Sequence, residues 1–149
     1  MPHGITLGIG IPVNLGRGSN LSIEVRQHYR VVPNPDSENP DPHKPWQVTT
    51  IAYYYTLLES EGPEILSYQW HPEQRSATTF PHLHLKKGAK VGRPELAEAY
   101  LPTGRVMAED FVQLLIEHFG IRPLRNDWKG ALRDSRAEFE EDKTWGGRR

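Results

Sequence analysis

The chain has 149 residues, of which 36% are hydrophobic and 25% are charged, and its net charge is −1. This length suits one domain with a hydrophobic core, and the near-neutral charge excludes polyanion binding driven by bulk charge. The absence of cysteine excludes disulfides and thiolate metal sites. No apolar run approaches the roughly 18 residues of a membrane span. We therefore expect a single cytoplasmic domain over residues 1–149 that is not attached to a membrane.

The first half of the chain predicts β-strands. Residues 1–19 form a glycine-rich arm that we assign to turns. In "LSIEVRQHYRVV", residues 21–32, apolar and polar side chains alternate, which is typical of a strand with one buried face. The proline-rich residues 33–45 predict an exposed loop. Further strands, rich in β-branched and aromatic residues, are predicted at residues 46–60, 64–72 and 81–87.

The second half predicts helices. Apolar side chains recur at helical spacing in residues 106–120 and again in residues 126–145, and a shorter helix is expected near residues 94–100. Residues 146–149 are expected to fray. Strands followed by helices predict an α+β fold, with an antiparallel sheet of about four strands from the N-terminal half and the C-terminal helices packed on one face.

The segment "TFPHLHL", residues 79–85, places two histidines two positions apart on a predicted strand. Its leucines point one way, so His82 and His84 point the other way. In the preceding predicted strand, His71 has the parity opposite to that of the apolar residues. If both apolar sets face the helices, these three histidines share an exposed face of the sheet and are candidate catalytic residues.

Basic residues accompany these histidines. Residues 74–94 contain five basic residues and no acidic residue, and such a segment can attract phosphate. The first predicted strand adds two arginines on its polar parity. The candidate substrate-binding residues are Arg75, Lys86, Arg26 and Arg30.

Three functions are compatible with this pattern. In the first, His71, His82 and His84 exchange protons at a phosphodiester while basic residues neutralise the developing charge, with no metal or other cofactor. In the second, the same histidines hold Zn²⁺ in a metal-dependent hydrolase, with Glu73 as a base or ligand. Nearby lysines disfavour such a bare cation. In the third, the face binds protein or nucleic acid without catalysis.

The segment "SYQWHPEQRSATTFPHLHL", residues 67–85, resembles the TumE-type family of small toxin–antitoxin proteins. The resemblance lies in a strand that ends in an aromatic residue and "HPE", followed by "FPHxH". Here Leu83 separates the two histidines that the family has adjacent. The resemblance implies a toxin acting on RNA, with His71, His82 and His84 as site residues, and an antitoxin partner that has a DNA-binding domain.

From the residues and this resemblance we predict a toxin-like, metal-independent endoribonuclease. Its expected partners are an RNA substrate and an antitoxin protein, and self-association into a homo-oligomer is compatible with the sequence. The metal-dependent hydrolase and the non-catalytic binding subunit are the alternatives.

Overall fold

A computed structural model of the chain describes residues 3–8, 11–16, 18–34, 45–72 and 78–145. Its strands are β1 (His3–Leu7), β2 (Val13–Asn14), β3 (Leu21–Pro33), β4 (Trp46–Glu59), β5 (Glu64–Trp70), β6 (His82–Leu85), β7 (Leu101–Pro102) and β8 (Lys143–Trp145). Its helices are α1 (Glu95–Glu98), α2 (Ala108–His118) and α3 (Trp128–Asp142), and a 3-10 turn spans Lys87–Ala89. Most of the predicted proline-rich loop and the predicted frayed tail lie outside the described residues. None of the helices in the described part is both long and apolar enough to cross a membrane.

All eight strands belong to one sheet in the order β1-β3-β4-β5-β6-β7, with β2 also paired to β3 and β8 also paired to β4. The pairs are antiparallel except that between β4 and β8. The predicted α+β class is confirmed, and the four predicted strands correspond to β3, β4, β5 and β6. The sheet has more strands than predicted, because β1 and β2 fall in the glycine-rich arm and β7 and β8 are too short for a periodic pattern.

The core lies between one face of the sheet and α2. Tyr53, Tyr55 and Leu57 alternate along β4 and are fully buried. Phe111 and Leu115 of α2 pack against them, and the ring centroids of Tyr55 and Phe111 lie 5.7 Å apart. We call this side of the sheet the helix face. Its apolar side chains come from alternate residues of the strands and from one apolar stripe of α2.

The C-terminal helix α3 contacts both α2 and β8. Arg136 forms an ion pair with Asp110 of α2. The ring of Phe139 packs on Trp145 of β8, with the centroids 5.2 Å apart. Because β8 pairs with the central strand β4, these contacts join α3 to both the helix layer and the sheet.

The hydroxyl of Tyr53 accepts a hydrogen bond of 3.0 Å from the backbone N–H of Val106, which joins the sheet to the start of α2. Tyr53→Phe keeps the ring but leaves this N–H without its acceptor. We expect it to lower the free energy of unfolding by about 1–2 kcal/mol, measured by urea denaturation. Tyr29→Phe removes the same atom from a partly exposed ring, and we expect a change below about 0.5 kcal/mol. Equal losses in the two variants would show that the Val106 contact does not stabilise the fold.

Candidate functional site

The two histidines of β6 point away from the helices, as their parity predicted. His82 is in register with Gln69 of β5, and His84 is in register with Ser67. The intervening Leu83 packs against the core on the helix face. We call the side of the sheet that carries His82 and His84 the histidine face.

His71 directly follows β5 and completes a histidine cluster made of His71, His82 and His84. The ring centroid of His82 lies 5.5 Å from that of His71 and 4.9 Å from that of His84, and both contacts are edge-to-face. The structure therefore brings together the three histidines that the sequence grouped.

The prediction of an exposed face is wrong for this cluster, because the exposed fraction is 8% for His71, 0% for His82 and 7% for His84. Tyr100, on the segment that joins α1 to β7, covers two of the rings, with centroid distances of 4.4 Å to His84 and 5.2 Å to His82. The ring of Phe80 also contacts His82, with the ring centroids 5.9 Å apart. Strand parity determines which face a side chain occupies, but it does not determine what covers that face.

One hydrogen bond defines the proton positions on His82. Its Nδ1 atom lies 2.8 Å from the carbonyl oxygen of Phe80. Since a carbonyl oxygen only accepts, Nδ1 carries the proton and the Nε2 atom of the neutral ring has a free lone pair. Imidazole in this tautomer is a base at Nε2.

Three buried nitrogen atoms of the cluster have no hydrogen-bond partner within the part of the chain that the structure describes. They are Nδ1 of His71, Nε2 of His82 and Nδ1 of His84. Buried polar atoms in folded proteins are nearly always paired. Three unpaired nitrogen atoms in one cluster therefore mark a place where a substrate or ligand can bind.

Two of the imidazoles are held neutral by their surroundings. The pKa of His84 is lowered to about 4, mainly by burial and in addition by electrostatic repulsion from Lys86, His82 and His71. Burial also lowers the pKa of His71, and repulsion from His82 adds to the effect of burial while a backbone hydrogen bond opposes it. At neutral pH both rings lack the extra proton, so they suit proton acceptance or hydrogen bonding better than proton donation.

Two of the predicted substrate-binding residues are linked to the cluster. Lys86 follows His84 by two residues, close enough for its charge to affect the pKa of that histidine. The guanidinium carbon of Arg26 lies 5.6 Å from the ring centroid of Tyr54. The same ring stacks on His71 with a centroid distance of 5.5 Å and an interplanar angle of 8°. Arg26 is therefore connected to the cluster through Tyr54.

The other two are not brought to the cluster. Arg30 lies four residues beyond Arg26 on β3, about 13 Å away by the rise of a strand, and is in register with Thr49. Arg75 lies in residues 73–77, outside the described residues, as does Glu73.

The geometry bears on the metal-site interpretation as well. No three His, Cys, Asp or Glu side chains are arranged to hold one metal ion, when the search covers the described ranges only.

Two tyrosines of this site were not assigned to it from the sequence. Tyr100 reaches the cluster because β7 pairs with β6, a tertiary contact that no local pattern indicates. Tyr54 had a signal: in a run of three tyrosines on one strand, the middle ring must point away from the face of its neighbours.

A large groove in the described structure lies elsewhere. It has a volume of about 1,100 Å³ and lies between the start of β3 and the end of α2, with Leu15, Leu21 and Phe119 among its lining residues. Its described lining contains none of the predicted catalytic residues, and it lacks the unpaired buried nitrogen atoms that distinguish the histidine cluster.

The chain has no significant match among protein-family models, curated proteins or solved structures. The resemblance to the TumE-type family therefore stays a prediction.

Proposed function

We propose that this protein is a metal-independent endoribonuclease, the toxin-like component of a toxin–antitoxin pair, acting in the cytoplasm. The observation that carries the catalytic part is the Nε2 atom of His82. It belongs to a fully buried ring, its proton is placed on Nδ1 by the Phe80 carbonyl, and it has no hydrogen-bond partner among the described residues. An oriented imidazole nitrogen of this kind is suited to act as a general base.

The proposed reaction is a transphosphorylation of RNA. The Nε2 atom of His82 takes the proton of a 2′-hydroxyl, whose oxygen attacks the adjacent phosphorus. The bond from phosphorus to the 5′-oxygen breaks, that oxygen takes a proton from water, and His82 passes the proton it accepted to the resulting hydroxide. The products are a 2′,3′-cyclic phosphate and a 5′-hydroxyl. Lys86 supplies positive charge for the phosphorane. His71 and His84 make edge-to-face contacts with the His82 ring and hold its orientation.

Substrate reaches His82 by displacing Tyr100. This ring is 49% exposed, although it covers both histidines of β6. The short helix α1, which precedes it, contributes no buried residue to the core. Moving this cover therefore costs little buried apolar surface, while the buried resting position keeps bulk water away from the base.

The toxin-like role rests on the resemblance of residues 67–85, and it implies a protein antitoxin with a DNA-binding domain that holds the nuclease inactive. The covered state of the histidine cluster suits such control, because a partner that contacts the Tyr100 segment can keep it closed.

Cleavage of RNA in the presence of EDTA tests the proposal. We expect the purified protein to cleave RNA to products with 2′,3′-cyclic phosphate ends, and its induced expression to slow growth. The His82→Ala/His84→Ala protein, compared at equal folded concentration, should do neither. Cleavage that EDTA abolishes would favour the metal-dependent alternative instead. If the wild-type protein bound RNA or a partner without cleaving RNA or affecting growth, the non-catalytic alternative would replace this proposal.

A further inference from the structure

A second polar site lies beside the histidine cluster on the histidine face. It is a pocket of about 160 Å³, and its lining residues are Glu24, Arg26, Tyr54, Thr56, Glu64 and Gln69. A β-bulge shifts the pairing of β4 with β5 between Leu57 and Leu58, so that Leu58 is in register with Glu64 and Ile65 is passed over. The bulge turns the Glu64 side chain onto the histidine face, where simple alternation from Leu66 would not place it.

The pocket is joined to the proposed base by one row across the sheet. Arg26 is in register with Tyr54, Tyr54 with Gln69, and Gln69 with His82. The pocket is centred on β4, two strands from β6, and adjacent strands are about 4.8 Å apart, so its centre lies about 10 Å from His82. This separation is within the reach of a single nucleotide, with its ribose at His82 and its base in the pocket.

The floor of the pocket is ordered by side-chain hydrogen bonds. The hydroxyls of Thr56 and Ser67 lie 2.9 Å apart, and the Gln69 Nε2 atom donates to the Ser67 hydroxyl at 3.0 Å. These contacts orient the Gln69 amide and leave its oxygen atom directed to other partners. A polar floor of fixed orientation suits recognition of a specific pattern of donors and acceptors.

The charged side chains around this floor are free to bind a ligand. In the described structure neither Glu24, Arg26 nor Glu64 has a side-chain hydrogen bond or an ion pair, although all three line the same small pocket. Arg26 is held instead over the Tyr54 ring. Two carboxylates and one guanidinium thus face a common volume as two acceptor groups and one forked donor.

From this arrangement we infer that the pocket formed by Glu24, Arg26, Tyr54, Thr56, Glu64 and Gln69 binds a guanine base. Guanine has two adjacent donors, N1–H and the 2-amino group, which a single carboxylate can accept together. It also has two adjacent acceptors, O6 and N7, which match the guanidinium fork of arginine. Tyr54 positions that fork through the cation–π contact.

The other bases fit these groups less well. Cytosine and adenine each have one exocyclic amino group next to a ring acceptor, which a carboxylate repels. Uracil has a single donor between two acceptors. A pocket with two carboxylates therefore selects the base that has two neighbouring donors. With RNA as the source of the base, the inference rests on the proposed function and makes guanosine the nucleotide on the 5′ side of the cleaved phosphate.

Binding of mononucleotides to the full chain tests the pocket independently of catalysis. We expect guanosine 3′-monophosphate to bind about tenfold or more tightly than the adenosine, cytidine and uridine compounds, by calorimetry or NMR titration. Inosine 3′-monophosphate, which lacks the 2-amino group, should lose part of this preference. Glu24→Gln/Glu64→Gln should remove most of it at unchanged thermal stability, whereas Glu138→Gln, an exposed change on α3, should leave it intact. Equal binding of all four nucleotides, or an unchanged preference in the double variant, would overturn the inference.

Mapping of the RNA ends separates the two proposals. Cuts that follow guanosine in the wild-type protein, and that spread to other bases in Glu24→Gln/Glu64→Gln, support both the pocket and the nuclease. Guanosine binding without cleavage would support the pocket and overturn the nuclease. Cleavage without any base preference would support the nuclease and overturn the pocket.

Discussion

His82→Asn is expected to lower the rate of RNA cleavage by about 10²–10⁴-fold, the usual loss when a general base is removed. Asparagine can still donate from its side-chain nitrogen to the Phe80 carbonyl, as Nδ1 of His82 does, but it has no base at the position of Nε2. The variant therefore separates the structural hydrogen bond from the proposed chemistry. The rate of cleavage of a labelled RNA under single-turnover conditions measures the chemical step.

Two further variants sharpen this result. His82→Ala opens a space of imidazole size, and added imidazole should restore part of its cleavage rate, whereas His82→Asn should respond much less. His118→Ala, at the exposed end of α2, should cleave at the wild-type rate. If folded His82→Asn kept full activity, His82 would not be the base.

Acid is expected to destabilise the fold through the same cluster. The pKa of His84 is about 4 in the folded chain against an ordinary value of 6.5, because burial disfavours the charged ring. The unfolded chain therefore binds a proton first as the pH falls. The stabilisation is fully present above pH 6.5 and is lost progressively as the pH falls towards 4. The expected loss at His84 alone is about 3 kcal/mol by linkage, and the lowered pKa of His71 adds to it in the same direction.

Urea denaturation at a series of pH values measures this loss. Since carboxylates also contribute to acid unfolding, the informative quantity is the difference between the wild type and His84→Gln. We expect the variant to have a flatter dependence between about pH 7 and pH 4. His118→Gln provides the matched control at an exposed histidine. A wild-type slope in His84→Gln would show that His84 is not held neutral by burial.

The long strands were predictable because their side chains alternate over many residues. The first predicted strand, residues 21–32, matches β3 to within a residue, and the histidines of β6 lie on the predicted face. The strand that contains the buried Tyr53 and Tyr55 was predicted from its β-branched and aromatic residues. In each case the pattern is local, and burial of one face is enough to explain it.

The remaining features depend on contacts between distant segments. The cover of the cluster comes from Tyr100, which is brought to β6 by the two-residue strand β7. The carboxylate of Glu64 reaches the histidine face through a bulge that breaks the alternation on which the prediction relied. Arg26 and Arg30 have the same parity, but only Arg26 lies in the row that leads to His82. Strand parity predicts the face of the sheet on which a side chain lies, whereas the pairing of distant strands determines its position on that face.

The three consecutive tyrosines of β4 are nearly interchangeable as shapes. A shift of the strand by one residue would exchange core and site positions along its length, yet it would still place a tyrosine ring at two of the three positions 53–55. The hydroxyl groups distinguish the two registers. That of Tyr53 accepts a hydrogen bond from Val106, and that of Tyr55 donates one of 3.0 Å to Gln27. These two buried hydroxyls therefore help to select the register of β4, and the residues that lie on the histidine face are decided partly inside the core.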